Sequence, residues 1–142
     1  SSVTLKREDD RTTILIIEDD EGVRKVVSRI IVKAGFHVLP ASSAAEALSI
    51  QNDYAGVIQL LLSDIMMPDM SGPEVATKMK ILRPDMKVML MSGYPDGALL
   101  LLNYGWHFIQ KPFLPANLIS SIQDVLSSEI ADQGCYRFET RK

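Results

Sequence analysis

The sequence holds a single cysteine, Cys135, among 142 residues. A disulfide framework within the chain is therefore excluded, and a reducing, cytoplasmic compartment fits best. It has no apolar run near the roughly 20 residues that a bilayer-spanning helix needs. Positive charge is not in excess: 15 Lys and Arg against 18 Asp and Glu leave a net charge of −3. No broad basic field exists to hold nucleic acid or an anionic membrane, so neither is expected as a direct partner. The opening residues are polar and charged, without the apolar core of a secretory signal. Internal repeats and low-complexity tracts are missing. The two histidines, His37 and His107, have no second metal ligand at useful spacing. The chain does not begin with methionine, which raises the expectation of a domain cut from a larger protein.

What is present has the make-up of one globular domain. The composition is 46% apolar and 23% charged, ordinary for such a protein. The length suits one domain that buries its core without staples. Residues 1–12 read as a linker or lead-in, 13–131 as the domain, and 132–142 as a tail of unassigned role.

The β-branched run 13–17 has the look of a strand buried on both faces. Val23, Val26, Val27, Ile30 and Ile31 recur at helical spacing over 21–34, and Gly35 suits the position just past a helix end. A short strand follows over 36–39. Ser42 or Ser43 can then cap a helix running to about residue 52, with Glu46 at capping-box spacing from Ser43. A third strand is expected over 57–63, a third helix over 73–82, a fourth strand over 87–91 and a fifth over 106–110. A short helix at 98–103 and a closing helix over 115–131 complete the pattern. Strands alternating with helices imply a doubly wound α/β domain. The flavodoxin-like (βα)5 fold, a five-stranded parallel sheet in the order 2-1-3-4-5, fits.

Four of the five strands are followed by polar residues. The first leads into Glu18, Asp19 and Asp20, the third ends at Asp64, the fourth at Ser92 and the fifth at Lys111. In that strand order these groups converge on one edge of the sheet, where open α/β sheets bind ligands. Clustered carboxylates repel one another unless a cation lies among them, and hard oxygen ligands suit Mg²⁺. One ammonium and one hydroxyl beside them suit phosphoryl oxygens. A carboxylate can itself act as nucleophile and carry a phosphoryl group.

Four segments carry a resemblance: 14–20 (ILIIEDD), 63–72 (SDIMMPDMSG), 91–94 (MSGY) and 110–113 (QKPF). In this order and spacing they resemble the signatures of the response-regulator receiver domain of two-component signalling. Met-Ser-Gly-Tyr and Gln-Lys-Pro-Phe look most like receivers of hybrid sensor histidine kinases. The resemblance implies a phosphoacceptor at Asp64, with Lys111 and Ser92 completing the catalytic set. It implies Mg²⁺ held by Glu18, Asp19, Asp64 and the backbone carbonyl of Met66, Asp19 being the stronger direct ligand of the acidic pair. Ser92 and Phe108 match its switch pair, and the Lys111–Pro112 bond is expected to be cis. The implied partner is a histidine kinase or histidine phosphotransfer domain. A homodimer through the face of the 98–103 helix, the fifth strand and the closing helix is a further expectation. The segment between Ser92 and Lys111 is short for this family, and 99–102 is an unusual apolar run there.

Other readings stand beside this one. The chain could be a stand-alone regulator, or a receiver-fold interaction module that is never phosphorylated. An aspartyl-phosphate hydrolase usually has a second acid two residues beyond the nucleophile, where this chain has Met66. Taken singly, Asp64 could form an Asx turn and Asp20 could merely begin a helix. Met66, Met67 and Met70 could be gap-filling apolar packing.

Overall fold

The computed structural model describes residues 11–93 and 106–128. Tyr94, the 98–103 helix, the apolar run 99–102, and the tail with Cys135 lie outside the described residues. The elements are β1 (Thr13–Ile17), α1 (Glu21–Lys33), β2 (His37–Ala41), α2 (Ala44–Asp53), β3 (Leu60–Asp64), α3 (Gly72–Leu82), β4 (Lys87–Ser92), β5 (His107–Gln110) and α4 (Pro115–Ser127). Every strand pair is parallel, in the order β2-β1-β3-β4-β5. This is the flavodoxin-like arrangement expected from the sequence.

Strand periodicity divides the core in two. Successive side chains point to opposite faces. On one face Leu15, Ile17, Leu61, Val88 and Leu90 pack with Ala47 of α2 and Val75, Ala76 and Met79 of α3. On the other, Ile14, Ile16, Leu60, Leu62, Met89 and Met91 pack with Val27 and Ile31 of α1 and Leu118 and Ile122 of α4. Helices on both faces explain why the strand sequences run apolar without alternation.

Local chemistry sets the helix ends. Asp20 caps α1 by accepting the Val23 N–H. At the other end Gly35 has φ of 104°. Its N–H donates to the Val32 carbonyl and that of Phe36 to the Ile31 carbonyl, a Schellman closure that needs a residue free to turn left-handed. Ser43 caps α2 by accepting the Glu46 N–H at 3.0 Å. The expected box is displaced by one residue, however: the Glu46 carboxylate accepts the N–H and hydroxyl of Ser42, not the N–H of Ser43. A full capping box, Ser71 with Glu74, opens α3.

Three boundaries differ from expectation by more than one residue. The chain enters β3 at Leu60, not 57, because Gln59 already spans the lower edge. Its N–H donates to the Thr13 carbonyl and its own carbonyl accepts from Lys87, leaving Val57 66% exposed. Strand β2 extends through Pro40 to Ala41. A proline without a donor is tolerated there because β2 is an edge strand. The closing helix stops at Ser127, and Ser128 is extended.

Two stability predictions follow from these contacts. Arg83 donates to the carbonyls of Gln51, Tyr54 and Gly56 at 3.0, 2.8 and 2.8 Å. It thereby covers the end of α2 and the turn beyond it. Arg83→Ala is expected to cost about 1.5–3 kcal/mol, the range for hydrogen bonds from a charged group, measurable as a lower urea midpoint. The second concerns Glu46, whose carboxyl is held below its usual value by the Ser42 N–H and then the Ser42 hydroxyl. A depressed carboxyl stabilises the fold above its unfolded value, and that contribution is lost as pH falls through the lower, folded value. Glu46→Gln should therefore show a small deficit in melting temperature at pH 7. The deficit should close on acidification below the ordinary carboxylate range.

Candidate functional site

The site is the polar continuation of one face of the sheet. Ile14 and Ile16 point toward α1 and α4, and Glu18 follows two residues on. Leu60 and Leu62 lead in the same way to Asp64, and Ile109 leads to Lys111. The register sets Ile17 beside Ser63 and Asp64 beside Met91, so these side chains emerge together above the upper edge. The Lys111 N–H donates to the Ser92 carbonyl at 2.7 Å, carrying the chain past β5 in step with β4.

Lys111 lies between two acids. Its Nζ is 2.7 Å from Glu18 Oε1 and 3.2 Å from Asp64 Oδ2. Glu18 is 2% exposed. Its second oxygen accepts the Asp20 N–H at 3.2 Å. Asp19 is exposed beside it, and one carboxylate oxygen from each of Glu18, Asp19 and Asp64 lies within 4.8 Å of the others. Burial, then the charge of Glu18, push the Asp64 carboxyl above its ordinary value against the pull of Lys111. Burial alone would lower the Lys111 ammonium, but the Glu18 hydrogen bond and the charges of Asp64 and Glu18 outweigh it and hold it above the usual lysine value.

This donor set fits a small hard cation. Three carboxylates face a single ammonium, so negative charge is in excess. Oxygens bound to one Mg²⁺ at about 2.1 Å are at most roughly 4.2 Å apart, and three carboxylate oxygens within 4.8 Å of one another are close to that spacing. Asp19 is the acid with its side chain open to solvent, whereas Glu18 is engaged on both oxygens.

The remaining expected residues lie on adjoining elements. Ser92 ends β4 and is buried. It shares a face with Leu90, which pairs with Phe108 of β5. Phe108 is half-buried against the cluster under α2 and α3. Met66, two residues beyond Asp64, exposes 68% of its surface at the start of the β3–α3 loop. The Lys111–Pro112 peptide bond is cis, as expected.

Sequence reasoning missed two supports. The Arg24 guanidinium donates to the Glu18 carbonyl at 2.9 Å, reaching back from α1 to steady the acidic turn. No spacing signal marks it, because the reach depends on the path of the intervening turn. Gly72 is the other. Its N–H donates to the Ile65 carbonyl at 2.6 Å, closing the loop that follows Asp64. The glycine was visible in the sequence, but the close approach that requires it was not.

A doubly wound α/β domain with an acid–lysine cluster at the carboxyl edge of its sheet holds its polar groups where open α/β sheets bind ligands. Residues 14–123 match the family model of the response regulator receiver domain, and the chain belongs to that family. It is 31% identical over 120 residues to the sensor kinase CckA of Brucella abortus (strain 2308), covering 82% of this chain and 13% of that protein. It is 32% identical over 119 residues to the response regulator receiver protein CpdR of the same strain, covering 80% of this chain and 95% of that protein. The crystal structure of the receiver domain from the hybrid histidine kinase CckA aligns with a TM-score of 0.70 at 34% identity, covering 81% and 99% of the two chains. The protein is thus a receiver domain of two-component signalling. None of its described helices is long and apolar enough to cross a membrane.

Proposed function

We propose that this domain takes a phosphoryl group from a phosphohistidine onto Asp64 and changes its partner preference as a result. The observation that carries the proposal is the Lys111 ammonium held 2.7 and 3.2 Å from Glu18 and Asp64, with Asp19 in the same acidic group. An Asp64 carboxylate oxygen attacks phosphorus, the P–N bond to the donor imidazole breaks, and the departing nitrogen keeps the electron pair and takes a proton. Lys111 pairs with one phosphoryl oxygen and the Ser92 hydroxyl with another. Glu18, Asp19, Asp64 and the Met66 carbonyl would hold Mg²⁺. When bound, it supplies charge neutralisation for the phosphoryl oxygens.

The donor is a histidine kinase or a histidine phosphotransfer domain, and the compartment is the cytoplasm. In the switch, Ser92 is drawn toward the phosphoryl group and Phe108 follows into the space released. Their common face on neighbouring strands supports this pairing. The altered face then binds a different partner, or a second copy of the chain, more tightly. The functional unit is 13–131, flanked by the linker 1–12 and the tail 132–142.

The likeness to the CckA receiver supports an origin in a hybrid sensor kinase. A stand-alone regulator is the second reading, favoured by the near-complete span of CpdR. The test is incubation of the chain with a labelled small acyl phosphate. Label is expected on Asp64 with Mg²⁺ present and to fall to background with EDTA. Equal labelling under both conditions would overturn the metal-assisted reading.

A further inference from the structure

The loop 65–71 joins the phosphoacceptor strand to α3 and is closed at both ends. At its base the Ile65 N–H donates to the Met91 carbonyl at 3.0 Å and the Gly72 N–H to the Ile65 carbonyl. At its far end the capping box of Ser71 and Glu74 fixes the entry to α3. Between these ends the Met67 and Met70 side chains rest on the core under α2 and α3. At the tip, the chain reaches across to a different element.

There the Asp69 carboxylate accepts from the first two N–H groups of α2. Oδ2 is 3.0 Å from the Ala45 nitrogen and Oδ1 is 3.4 Å from the Ala44 nitrogen. The Ser43 hydroxyl already takes the Glu46 N–H, and the Ser43 carbonyl takes that of Ala47. Asp69 therefore completes the first turn of α2 from 24 and 25 residues away. Two donors in one helix N-terminus suit a carboxylate. The Ala45 N–H, first among its partners, holds the Asp69 carboxyl below its ordinary value.

We infer that Asp69 is a positioning residue for cation binding. It pins the loop that carries Met66 to the N-terminus of α2, so that the loop's metal-binding backbone is set before the ion arrives. This rests on the function proposed above. Without the latch, the Met66 carbonyl must be ordered at the moment of binding, and that entropy opposes affinity.

The experiment uses the whole chain, with Mg²⁺ titrated calorimetrically into the wild type, Asp69→Ala and Asp69→Asn. Asn keeps a carbonyl oxygen that can accept from Ala45. The expected Kd for Mg²⁺ rises about tenfold in Asp69→Ala, the low end for groups that orient metal ligands. It returns to within about twofold of wild type in Asp69→Asn. Amide hydrogen exchange in the metal-free protein should quicken over residues 44–47 and 65–71 in the alanine variant, with the rest of the sheet unchanged. An unaltered Kd in Asp69→Ala, or an equal loss in both variants, overturns the latch. Failure of the wild type to bind Mg²⁺ overturns the proposed function itself, which separates the two failures.

Discussion

Asp64→Asn is expected to eliminate Mg²⁺-dependent labelling by a small acyl phosphate, by at least about 10³-fold, as loss of a nucleophile does elsewhere. The substitution is nearly isosteric, so the pocket keeps its shape. What it removes is the anionic oxygen 3.2 Å from Lys111. Lys111 retains Glu18 at 2.7 Å, so its ammonium is not left buried and unpaired. The ionised Asp64 is crowded by burial and by Glu18, and an uncharged amide relieves both. The variant should therefore fold at least as well as the wild type, and circular dichroism and thermal melting check this in the same preparation. A folded variant that still takes full label would place the phosphoacceptor elsewhere and sink the assignment.

Gly72→Ala should damage both stability and phosphorylation, although residue 72 touches no reacting atom. A Cβ built on Gly72 would fall well inside van der Waals contact of the Asp64 carbonyl oxygen and 3.1 Å from Ile65 Cα. These neighbours are backbone, so no side chain can swing aside. Either α3 withdraws, breaking the bond from the Gly72 N–H to the Ile65 carbonyl, or the end of β3 shifts and carries Asp64 with it. Overpacking of this kind costs about 1–3 kcal/mol, which for a domain of this size is roughly 3–10 °C in melting temperature. A reacting group displaced by about 1 Å can lose on the order of 100-fold in rate. Melting curves and the initial rate of labelling measure the two losses. A normal melt with a normal labelling rate would show that the loop relaxes without consequence.

The residues set apart in the sequence differ in how well the sequence could announce their roles. Asp64 and Lys111 were legible because a charged side chain at the end of an apolar strand contradicts packing, and burial makes that contradiction costly. Ser43 and Gly35 were legible because caps act within a few residues of themselves. The partner of Glu46 was misplaced by one residue. Ser42 and Ser43 both offer an N–H there, and backbone direction at the turn decides between them. Asp69 gave no sign of its partners, since Ala44 and Ala45 are alanines and contribute only backbone N–H groups. Arg83 directly precedes Pro84, a place that announces only the end of a helix, yet it holds three carbonyls on a distant turn.

By itself, the sequence determined the alternation of strand and helix, the parallel sheet that this alternation implies, and the polar residues that follow four of the five strands. Those are consequences of hydrophobic periodicity, capping and turn residues, all of which act over a few positions. Only the tertiary structure decided the distances that make a site. Register set Asp64 beside β4, and the reach of Lys111 brought it to both Glu18 and Asp64. The contacts of Gly72 with the end of β3, of Arg24 with Glu18, and of Asp69 with α2 were likewise fixed there. Such contacts join residues far apart in the chain or involve backbone atoms common to every residue type. Side-chain identity alone therefore carries no record of them, and they arise only when packing of the two faces brings the strand ends together.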